Sequence, residues 1–187
     1  MFKARDDDSP AYLKPEFDLF IKESSLISQD IKRSSLPVEV WQPSLFKLKP
    51  RGAQRSLSWW WFYHFTNVLR KRPCYWIFLI HEDNAIIHHA VASMKCFKFP
   101  FMEDQDIHIG PILTDPECTG RGIATSAVAS LVEFCAKDNR KFWAMVDPEN
   151  KAEIKVFEKL GFVDCGVVKR EKRFLFSVYT FHKSAGN

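Results

Sequence analysis

A helical pattern that follows a glycine-containing turn is the feature that most restricts how this sequence folds. Over Gly122–Lys137, small and apolar residues recur at helical spacing and form one stripe, which predicts an amphipathic helix. The residues of the stripe are Ala124, Ala127, Val128, Leu131 and Cys135. β-rich runs at Ile107–Leu113 and Lys141–Val146 flank this helix. A helix that joins two strands favours an α/β fold with a mixed sheet.

Two further pairs of β-rich runs predict hairpins on either side of this unit. The first pair, Tyr75–His81 and Ala85–Met94, flanks the polar residues 82–84. The second pair is Phe162–Lys169 and Arg173–Phe181. We therefore expect a sheet that is antiparallel at both ends.

A second helix is predicted after the strand at Lys141–Val146. Pro148 and Asn150 are typical of a helix start, and Gly161 is typical of a helix end. Three apolar residues between them share one helical face, so this helix also has a buried side. They are Ile154, Phe157 and Leu160.

The run at Ile107–Leu113 contains an interruption, Gly110-Pro111. Proline has no N–H to donate to a neighbouring strand, so this pair predicts either a bulge or an exposed edge. The two outcomes differ in whether the strand has a neighbour on both sides.

The length of 187 residues predicts one domain, and a hydrophobic content of 46% is enough for a complete core. This excludes a disordered chain. Because residues 1–43 contain four of the ten prolines, we expect an extension of loops there, with one short helix near Glu16–Lys22. The extension would pack on a single domain over 44–187. The first strand is either Val38–Trp41 or Ser44–Leu48.

The net charge of +4 is unevenly distributed. The stretch 40–81 has seven basic residues and no acidic one, which favours an anionic partner or substrate. It includes a predicted helix over Ser56–Leu69, in which Trp59-Trp60-Trp61-Phe62 cover the whole circumference. Since some of these rings would face outward, a peripheral membrane contact or a homodimer interface is an alternative. The basic residues are Lys47, Lys49, Arg51, Arg55, Arg70, Lys71 and Arg72.

Five cysteines lie far apart in the sequence. They include no CxxC pair and no His/Cys spacing typical of a zinc finger, so no metal site is expected. Unclustered cysteines in odd number are typical of reduced thiols, and residues 1–13 are acidic where a signal peptide is basic and then apolar. No apolar stretch is long enough to span a bilayer. We expect a cytoplasmic location and no integral membrane segment.

The segment Thr119-Gly120-Arg121-Gly122-Ile123-Ala124 lies between a strand and a helix. Glycines let a backbone approach an anion, and the first N–H groups of a helix together with its dipole bind a pyrophosphate well. Arg121 adds a positive charge nearby. The segment matches neither a Walker loop nor a dinucleotide-binding fingerprint. An ordinary glycine-rich turn is the alternative.

This segment resembles the acyl-CoA-binding motif of the GNAT (Gcn5-related N-acetyltransferase) superfamily, Arg/Gln-x-x-Gly-x-Gly/Ala. A second motif of that superfamily, Asn-x-x-Ala-x-x-x-Tyr-x-x-x-Gly-Phe, resembles the segment from Asn150 to Phe162. The two motifs occur in the superfamily's order, with one helix and one strand between them, and the resemblance covers 75–183. It implies an α+β fold whose central sheet is mixed, mostly antiparallel, flanked by helices and splayed at the acyl-CoA site.

The resemblance also implies acetyl-CoA, or another acyl-CoA, as co-substrate. It implies that the pantetheine arm runs along strand 107–114, ending near Leu113 and Thr114, and that Asn150 and Phe157 contact the same ligand. Backbone amides would hold the pyrophosphate. They belong to Thr119, Gly120, Arg121, Gly122, Ile123 and Ala124.

Two residues depart from the superfamily pattern. Thr119 stands where Arg or Gln is preferred, so one side-chain contact near the pyrophosphate is expected to be lost. Phe157 stands where many members have a Tyr that protonates the departing thiolate. A phenyl ring has no proton to give, so another donor or water is needed, or the thiolate leaves unaided.

Transfer to an amine requires its neutral form, so a general base is useful. Members of the superfamily often have Glu or His on the strand before the pyrophosphate turn, where this chain has His108, the first candidate. His88 and His89 are adjacent on a strand, so they point to opposite faces, and either one is an alternative base. For His108, an exposed strand position is the alternative. We expect direct transfer and no covalent step through Cys118.

Three acidic residues enter the strand that contains His108, and they are candidates for holding a cationic amine. A solvated acidic turn is the alternative. The residues are Glu103, Asp104 and Asp106.

A further sequence similarity concerns the acceptor. The string from Phe97 to Met102, followed by Ile109-Gly110-Pro111, is similar to GNAT-like proteins of bacterial polysaccharide and lipopolysaccharide gene clusters, which are thought to acylate amino-sugar nucleotides. We therefore expect an N-acetyltransferase that acts on the primary amine of such a small, anionic acceptor. A protein, peptide or small-amine acceptor is one alternative, and a catalytically degenerate acyl-CoA-binding module is another. No nucleic-acid partner is expected.

Overall fold

Eight strands and two α-helices form the part of the chain that the computed structural model describes. That part comprises residues 16–23, 36–42, 50, 75–137, 139–173 and 176–183. The strands are β1 (Glu16–Glu23), β2 (Val38–Trp41), β3 (Tyr75–Glu82), β4 (Ala85–Met94), β5 (Ile107–Thr114), β6 (Lys141–Val146), β7 (Val163–Arg173) and β8 (Phe176–Lys183). The helices are α1 (Ile123–Cys135) and α2 (Lys151–Lys159). Within 75–183, these bounds confirm both predicted hairpins, both helices and the strands at 107–113 and 141–146.

All eight strands belong to one sheet, in the order β2-β3-β4-β5-β6-β1-β7-β8. Every neighbouring pair is antiparallel except β5 and β6, which are parallel. The parallel pair is the one joined through α1, because a crossover helix returns the chain to the same end of the sheet. The mixed, mostly antiparallel α+β fold is therefore confirmed.

The turn between β3 and β4 consists of two residues with left-handed backbone. Asp83 has φ 50° and Asn84 has φ 63°, and Glu82 pairs with Ala85 across the turn. Two positive φ angles match the right-handed twist of a hairpin, and Asp and Asn tolerate them better than most residues. This turn fixes where the tip of the hairpin lies.

β5 contains the bulge that Gly110-Pro111 predicts. Ala90 of β4 pairs with Ile112 and Ala92 pairs with Ile109, so two residues of β5 face one residue of β4. Gly110 has φ 137°, a conformation that side chains rarely allow. The predicted bulge is therefore observed. β5 has neighbours on both sides only up to Ile109, and from Gly110 onward it is paired with β4 alone.

β5 and β6 separate at this bulge. They pair at three positions, Ile107 with Phe142, His108 with Trp143 and Ile109 with Ala144. Past these positions, β5 continues along β4 and β6 continues along β1. The two parallel strands therefore diverge and leave a gap between them.

The helix predicted near Glu16–Lys22 is wrong, because this segment is strand β1. It lies inside the sheet, paired with β6 on one side and β7 on the other. Phe17 and Leu19 are buried on one face, Phe20 and Lys22 on the other, with a bulge between Leu19 and Phe20. The segment is a strand because its buried side chains alternate between the two faces of the sheet and because its backbone is hydrogen-bonded on both sides. Eight residues are too few for their hydrophobic pattern to distinguish a strand from a helix.

Among the remaining predictions for the first 74 residues, one can be compared with the structure and the others concern residues outside the described ranges. Of the two alternatives for the first strand near residue 40, Val38–Trp41 is a strand, whereas Ser44–Leu48 lies outside the described residues. The helix over Ser56–Leu69 and all seven basic residues of 40–81 also lie outside them. The boundary between an extension over 1–43 and a domain over 44–187 stays a prediction.

Apolar side chains cover both faces of the sheet. On the face that bears α1 and α2, a core cluster joins residues of both helices to β1, β3, β4, β5 and β6. We call this the helix face. On the other face, Leu19, Trp143 and Val168 pack with Phe99 and Met102, which belong to the loop between β4 and β5. We call this the loop face.

The position of β1 predicts that Phe20 is essential to the helix-face core. Its ring is buried and stacks on Phe157 at 6.1 Å between centroids. Phe20→Ala should lower the free energy of unfolding by about 3–5 kcal/mol, measured by urea denaturation, because it leaves a cavity. Val163→Ala, at a residue that is 65% exposed, is the control and should cost far less. A loss below about 1 kcal/mol for Phe20→Ala would contradict the placement of β1.

Candidate active site

The gap between β5 and β6 exposes one edge of β5. From Gly110 to Thr114, β5 is paired with β4 but has left β6, so alternate N–H and C=O groups face the gap. Leu113 is partly exposed at this end of the strand, and Thr114 is half-buried. An extended ligand with amide groups fits such an edge, because it can complete the hydrogen bonds that β6 no longer makes.

The turn that follows β5 leads directly into α1. A single 3-10 turn spans Pro116–Cys118, and the hydroxyl of Thr119 donates to the carbonyl of Pro116 at 2.9 Å. Gly120 and Gly122 have φ 77° and 75°, and Gly122 caps α1 without any side-chain hydrogen bond. The first N–H groups of the helix therefore keep their capacity to bind a ligand.

Space is open above both glycines. A Cβ built on Gly120 or on Gly122 would meet no atom within 4 Å. Glycine is needed here for the backbone conformation, and the empty volume leaves room for an anion against the uncapped amides. The chain's own residues therefore fit a phosphate group at this turn.

The charge of Arg121 is already paired. Its Nη1 lies 2.8 Å from Oε2 of Glu82, and its Nη2 lies 2.5 Å from Oε1, so the contact is bidentate. Hydrogen bonding to Arg121 lowers the pKa of Glu82, and the same contact raises the pKa of Arg121. Sequence analysis missed Glu82, which is 39 residues away along the chain and belongs to no motif.

Cys118 lies beside this ion pair. Its Sγ is 3.9 Å from Oε2 of Glu82 and 3.4 Å from Nη1 of Arg121, and the residue is buried. The contacts connect the 3-10 turn to the tip of the β3–β4 hairpin. They place the sulfur in the packing around Arg121.

His108 lies on the loop face at the point where β5 and β6 still pair. Its ring stacks on Phe99 at 4.4 Å between centroids, with 6% of the residue exposed. Burial lowers the pKa of His108 to about 4, so the imidazole is neutral at pH 7. Neither ring nitrogen has a hydrogen-bond partner in the described structure, which is costly for a buried polar group.

His88 and His89 lie on opposite faces of β4, as adjacent strand residues do. Nδ1 of His88 is 2.8 Å from Oγ1 of Thr114, so this histidine fixes the side chain of Thr114 at the end of β5. His89 pairs with Leu113 on β5. Burial lowers the pKa of His88 to about 3 and that of His89 to about 4, so both are neutral at pH 7.

The acidic residues before β5 have partners within the protein. The carboxylate of Asp106 is buried and accepts hydrogen bonds from Trp143 Nε1 at 2.8 Å and from the backbone N–H groups of Glu103 and Lys141. The hydrogen bonds from Trp143 and Lys141 join the start of β5 to β6, and a contact between Asp106 and an amine acceptor stays a prediction. At the surface, Glu103 pairs with Lys141 at 3.5 Å, and Asp104 pairs with Lys95 at 3.3 Å.

Asn150 caps helix α2. Its Oδ1 accepts from the N–H of Glu153 at 3.2 Å, and its Nδ2 donates to Oε2 of Glu153 at 2.8 Å. This reciprocal contact stabilises the first turn of the helix. Burial, followed by the nearby charge of Asp147, raises the pKa of Glu153 to about 7. Sequence analysis did not single out Glu153.

Phe157 is part of the helix-face core. The ring is fully buried, 5.0 Å from the ring of Phe162 and 6.1 Å from that of Phe20. A contact between Phe157 and a ligand in the gap stays a prediction.

The described residues contain neither a metal site nor a membrane-spanning helix. No group of three or more His, Cys, Asp or Glu residues there is placed to hold a metal ion. Neither of the two helices is long and apolar enough to cross a membrane.

Comparison with known proteins identifies the family of this fold. The sequence profile described as "Acetyltransferase (GNAT) family" matches residues 36–162. The chain belongs to the GNAT acetyltransferase family. Among curated proteins, this GNAT chain is 37% identical over 68 residues to an uncharacterized N-acetyltransferase of Methanocaldococcus jannaschii, which covers 36% of the chain and 29% of that relative.

Solved structures show the same GNAT fold at low sequence identity. A putative GNAT-family acetyltransferase from Novosphingobium aromaticivorans aligns with a TM-score of 0.51 at 15% identity, over 82% of this chain and 61% of its own. A GNAT-family acetyltransferase from Colwellia psychrerythraea aligns with a TM-score of 0.54 at 14% identity, over 81% of this chain and 53% of its own. This GNAT chain therefore spans less than two thirds of each of these relatives.

The buried histidines predict that the protein loses stability in mild acid. A histidine has a pKa near 6.5 in an unfolded chain, whereas the folded protein keeps His88, His89 and His108 neutral down to pH 3–4. The unfolded state therefore binds protons first as the pH falls below 6.5. Each histidine should lower the free energy of unfolding by up to roughly 1.4 kcal/mol per pH unit between 6.5 and 4.

Urea denaturation of the His89→Leu variant at several pH values tests this expectation. Its stability should depend less on pH than that of the unchanged protein. His182→Gln, which removes an exposed imidazole from β8, is the control. An identical pH dependence for His89→Leu and the unchanged protein would contradict the prediction.

Proposed function

We propose that this GNAT protein is an acyl-CoA-dependent N-acetyltransferase that transfers an acetyl group directly to a primary amine. The observation that carries the proposal is the gap between β5 and β6, which opens at Gly110 and ends beside the uncapped start of α1. The free edge of β5 thus leads along the chain to the glycine turn, where the start of α1 has no side-chain cap. Family membership and the name of the Methanocaldococcus jannaschii relative support the same activity.

On the donor side, the free edge of β5 would bind the amide groups of the pantetheine arm as an additional strand would. Leu113 and Thr114 would contact the arm near its phosphate end, with Thr114 fixed by His88. The amides of Thr119–Ala124 would hold the pyrophosphate. When bound, acetyl-CoA supplies an activated acyl thioester.

On the acceptor side, His108 is the proposed general base. Neither ring nitrogen has a hydrogen-bond partner in the described structure, and burial keeps the imidazole neutral at pH 7, the form that a base needs, while making it a weaker base than an exposed histidine. As the amine nitrogen bonds to the acyl carbon, the carbon–sulfur bond breaks and His108 takes a proton from nitrogen. Since Phe157 has no proton to give, water protonates the departing sulfur or the thiolate leaves unaided.

An acetyl-CoA turnover assay on a panel of amines tests this function. The panel contains amino-sugar nucleotides, peptides with free α-amines, lysine peptides and polyamines, and the readouts are thiol release and the mass of the product. At least one amine should be acetylated, with no acetyl group on the protein itself by intact mass. CoA binding without turnover on any amine would favour the degenerate module, and acetylation of Cys118 would contradict direct transfer.

Within this activity, we propose an amino-sugar nucleotide as the acceptor. The segment over Phe97–Met102 carries the sequence similarity, and it lies on the loop face beside His108. Phe97 is 56% exposed, so a planar ring of an acceptor has a surface on which to stack. Glu103 and Asp104 are engaged by lysines, which disfavours a polycationic acceptor. The seven basic residues support an anionic acceptor by sequence alone.

The role of His108 predicts a specific loss of turnover. His108→Gln should lower kcat at pH 7 by about 100-fold or more, the usual contribution of a general base, and leave the Kd for CoA within about twofold. His182→Gln is the control for loss of an imidazole. An unchanged kcat, or a loss of CoA affinity equal to the loss of kcat, would contradict the assignment.

A further inference from the structure

The side chain of Arg121 is held by a carboxylate from another part of the fold. Glu82 ends β3 at the tip of the β3–β4 hairpin, and Arg121 lies in the glycine turn before α1. The distances of 2.8 and 2.5 Å join both Nη atoms to both Oε atoms. A bidentate pair of this kind fixes the plane and the direction of the guanidinium, which a single contact does not.

The backbone on both sides of the pair is well defined. The two-residue turn at Asp83 and Asn84 fixes the hairpin tip, and Glu82 is paired with Ala85 across it. On the other side, Cys118 packs against both members of the pair. The carboxylate therefore stands beside the turn that would hold the pyrophosphate, and it brings a negative charge there.

We propose that Glu82 is a specificity-determining residue of the donor site, whose carboxylate competes with the diphosphate of the co-substrate for Arg121. This inference rests on the proposed function. Carboxylates and phosphates present the same paired oxygens to a guanidinium, so Arg121 cannot give its Nη pair to both at once. A donor binds with Arg121 only by releasing Glu82, and part of its binding free energy is used for that exchange.

Because of this exchange, the protein distinguishes donors by whether they contain a diphosphate. A ligand without a diphosphate gains nothing from Arg121 and leaves the ion pair intact. A ligand with a diphosphate separates the pair and leaves Glu82 to water, which is possible because both side chains are partly exposed. Glu82 thus weakens binding of the nucleotide end and has no effect on the pantetheine end.

Calorimetry with CoA and the Glu82→Gln variant tests the proposal. Glutamine keeps the size of the side chain but makes no charged pair, so CoA should bind about two- to fivefold more tightly at low salt, in line with the modest strength of exposed ion pairs. The gain should shrink at high salt, where exposed charges are screened. Dephospho-CoA, which keeps the diphosphate, should show the same gain, whereas pantetheine should show none.

Two control variants separate competition from a general effect of charge. Glu117→Gln removes one negative charge from an exposed residue of the 3-10 turn in the same loop, and it should change CoA affinity less than twofold. Arg121→Gln should weaken CoA binding. In the Arg121→Gln background, Glu82→Gln should no longer tighten binding, because there is no guanidinium left to release.

The outcomes are distinguishable. If the unchanged protein binds CoA but Glu82→Gln binds it no more tightly, or if the gain persists without Arg121, the competition is refuted. A gain with CoA that is absent with dephospho-CoA refutes the diphosphate as the competing anion. No CoA binding by the unchanged protein refutes the proposed function itself. If Glu82→Gln does not fold, as judged by circular dichroism, Glu82→Asp replaces it and should show a smaller gain, since the side chain is one methylene shorter and reaches Arg121 less well.

Discussion

The rest of the structure depends on the fact that β5 keeps one neighbour and loses the other. Buried backbone N–H and C=O groups need partners, so an interior strand cannot leave its neighbour without either a ligand or solvent on that side. β5 follows β4 throughout and leaves β6 after Ile109, where Gly110 permits the bulge and Pro111 has no N–H to lose. The unsatisfied edge is thus confined to one short segment. It leads toward the turn where the start of α1 has no side-chain cap.

The start of β5 is held by hydrogen bonds to β6, in contrast to its end, which has no neighbour on that side. Asp106 accepts hydrogen bonds from Trp143 and from the backbone of Lys141, which joins the start of β5 to the start of β6. The parallel ladder of three residue pairs follows directly. The separation of the strands therefore begins at a rigid point, and His108 belongs to the last part of the ladder before it. The imidazole of His108 is therefore held in place by the sheet, with Phe99 stacked over its ring.

The sequence was sufficient wherever a local signal determines the conformation. The stripe in α1, the start of α2 at Asn150 and the turn at residues 83–84 all follow from residues within a few positions of one another. β1 was not predictable in this way, because its hydrogen-bond partners are in β6 and β7, more than 100 residues away. The same limit applies to the candidate site.

The glycine turn of the site is a local pattern and was recognised. Glu82 is brought to Arg121 only by the folding of the hairpin against the loop, and the internal use of Asp106 depends on Trp143 of another strand. The sequence shows which residues are charged. Which hydrogen-bond or ion-pair partner each of them has is determined only by the folded chain. The acidic residues before β5 illustrate this difference, since all three are engaged within the protein.

The place of β1 also has a consequence for how the chain is made. During synthesis, residues 16–23 leave the ribosome long before residues 141–173, which form both strands that β1 pairs with. At ordinary rates of translation, the delay is on the order of ten seconds. Through that interval Leu19 and Phe20 have no sheet to enter, and contacts of such long sequence separation form slowly once they are available. The apolar side chains of β1 therefore have no partner strand until β6 and β7 have both been made, so this segment enters the sheet late in folding.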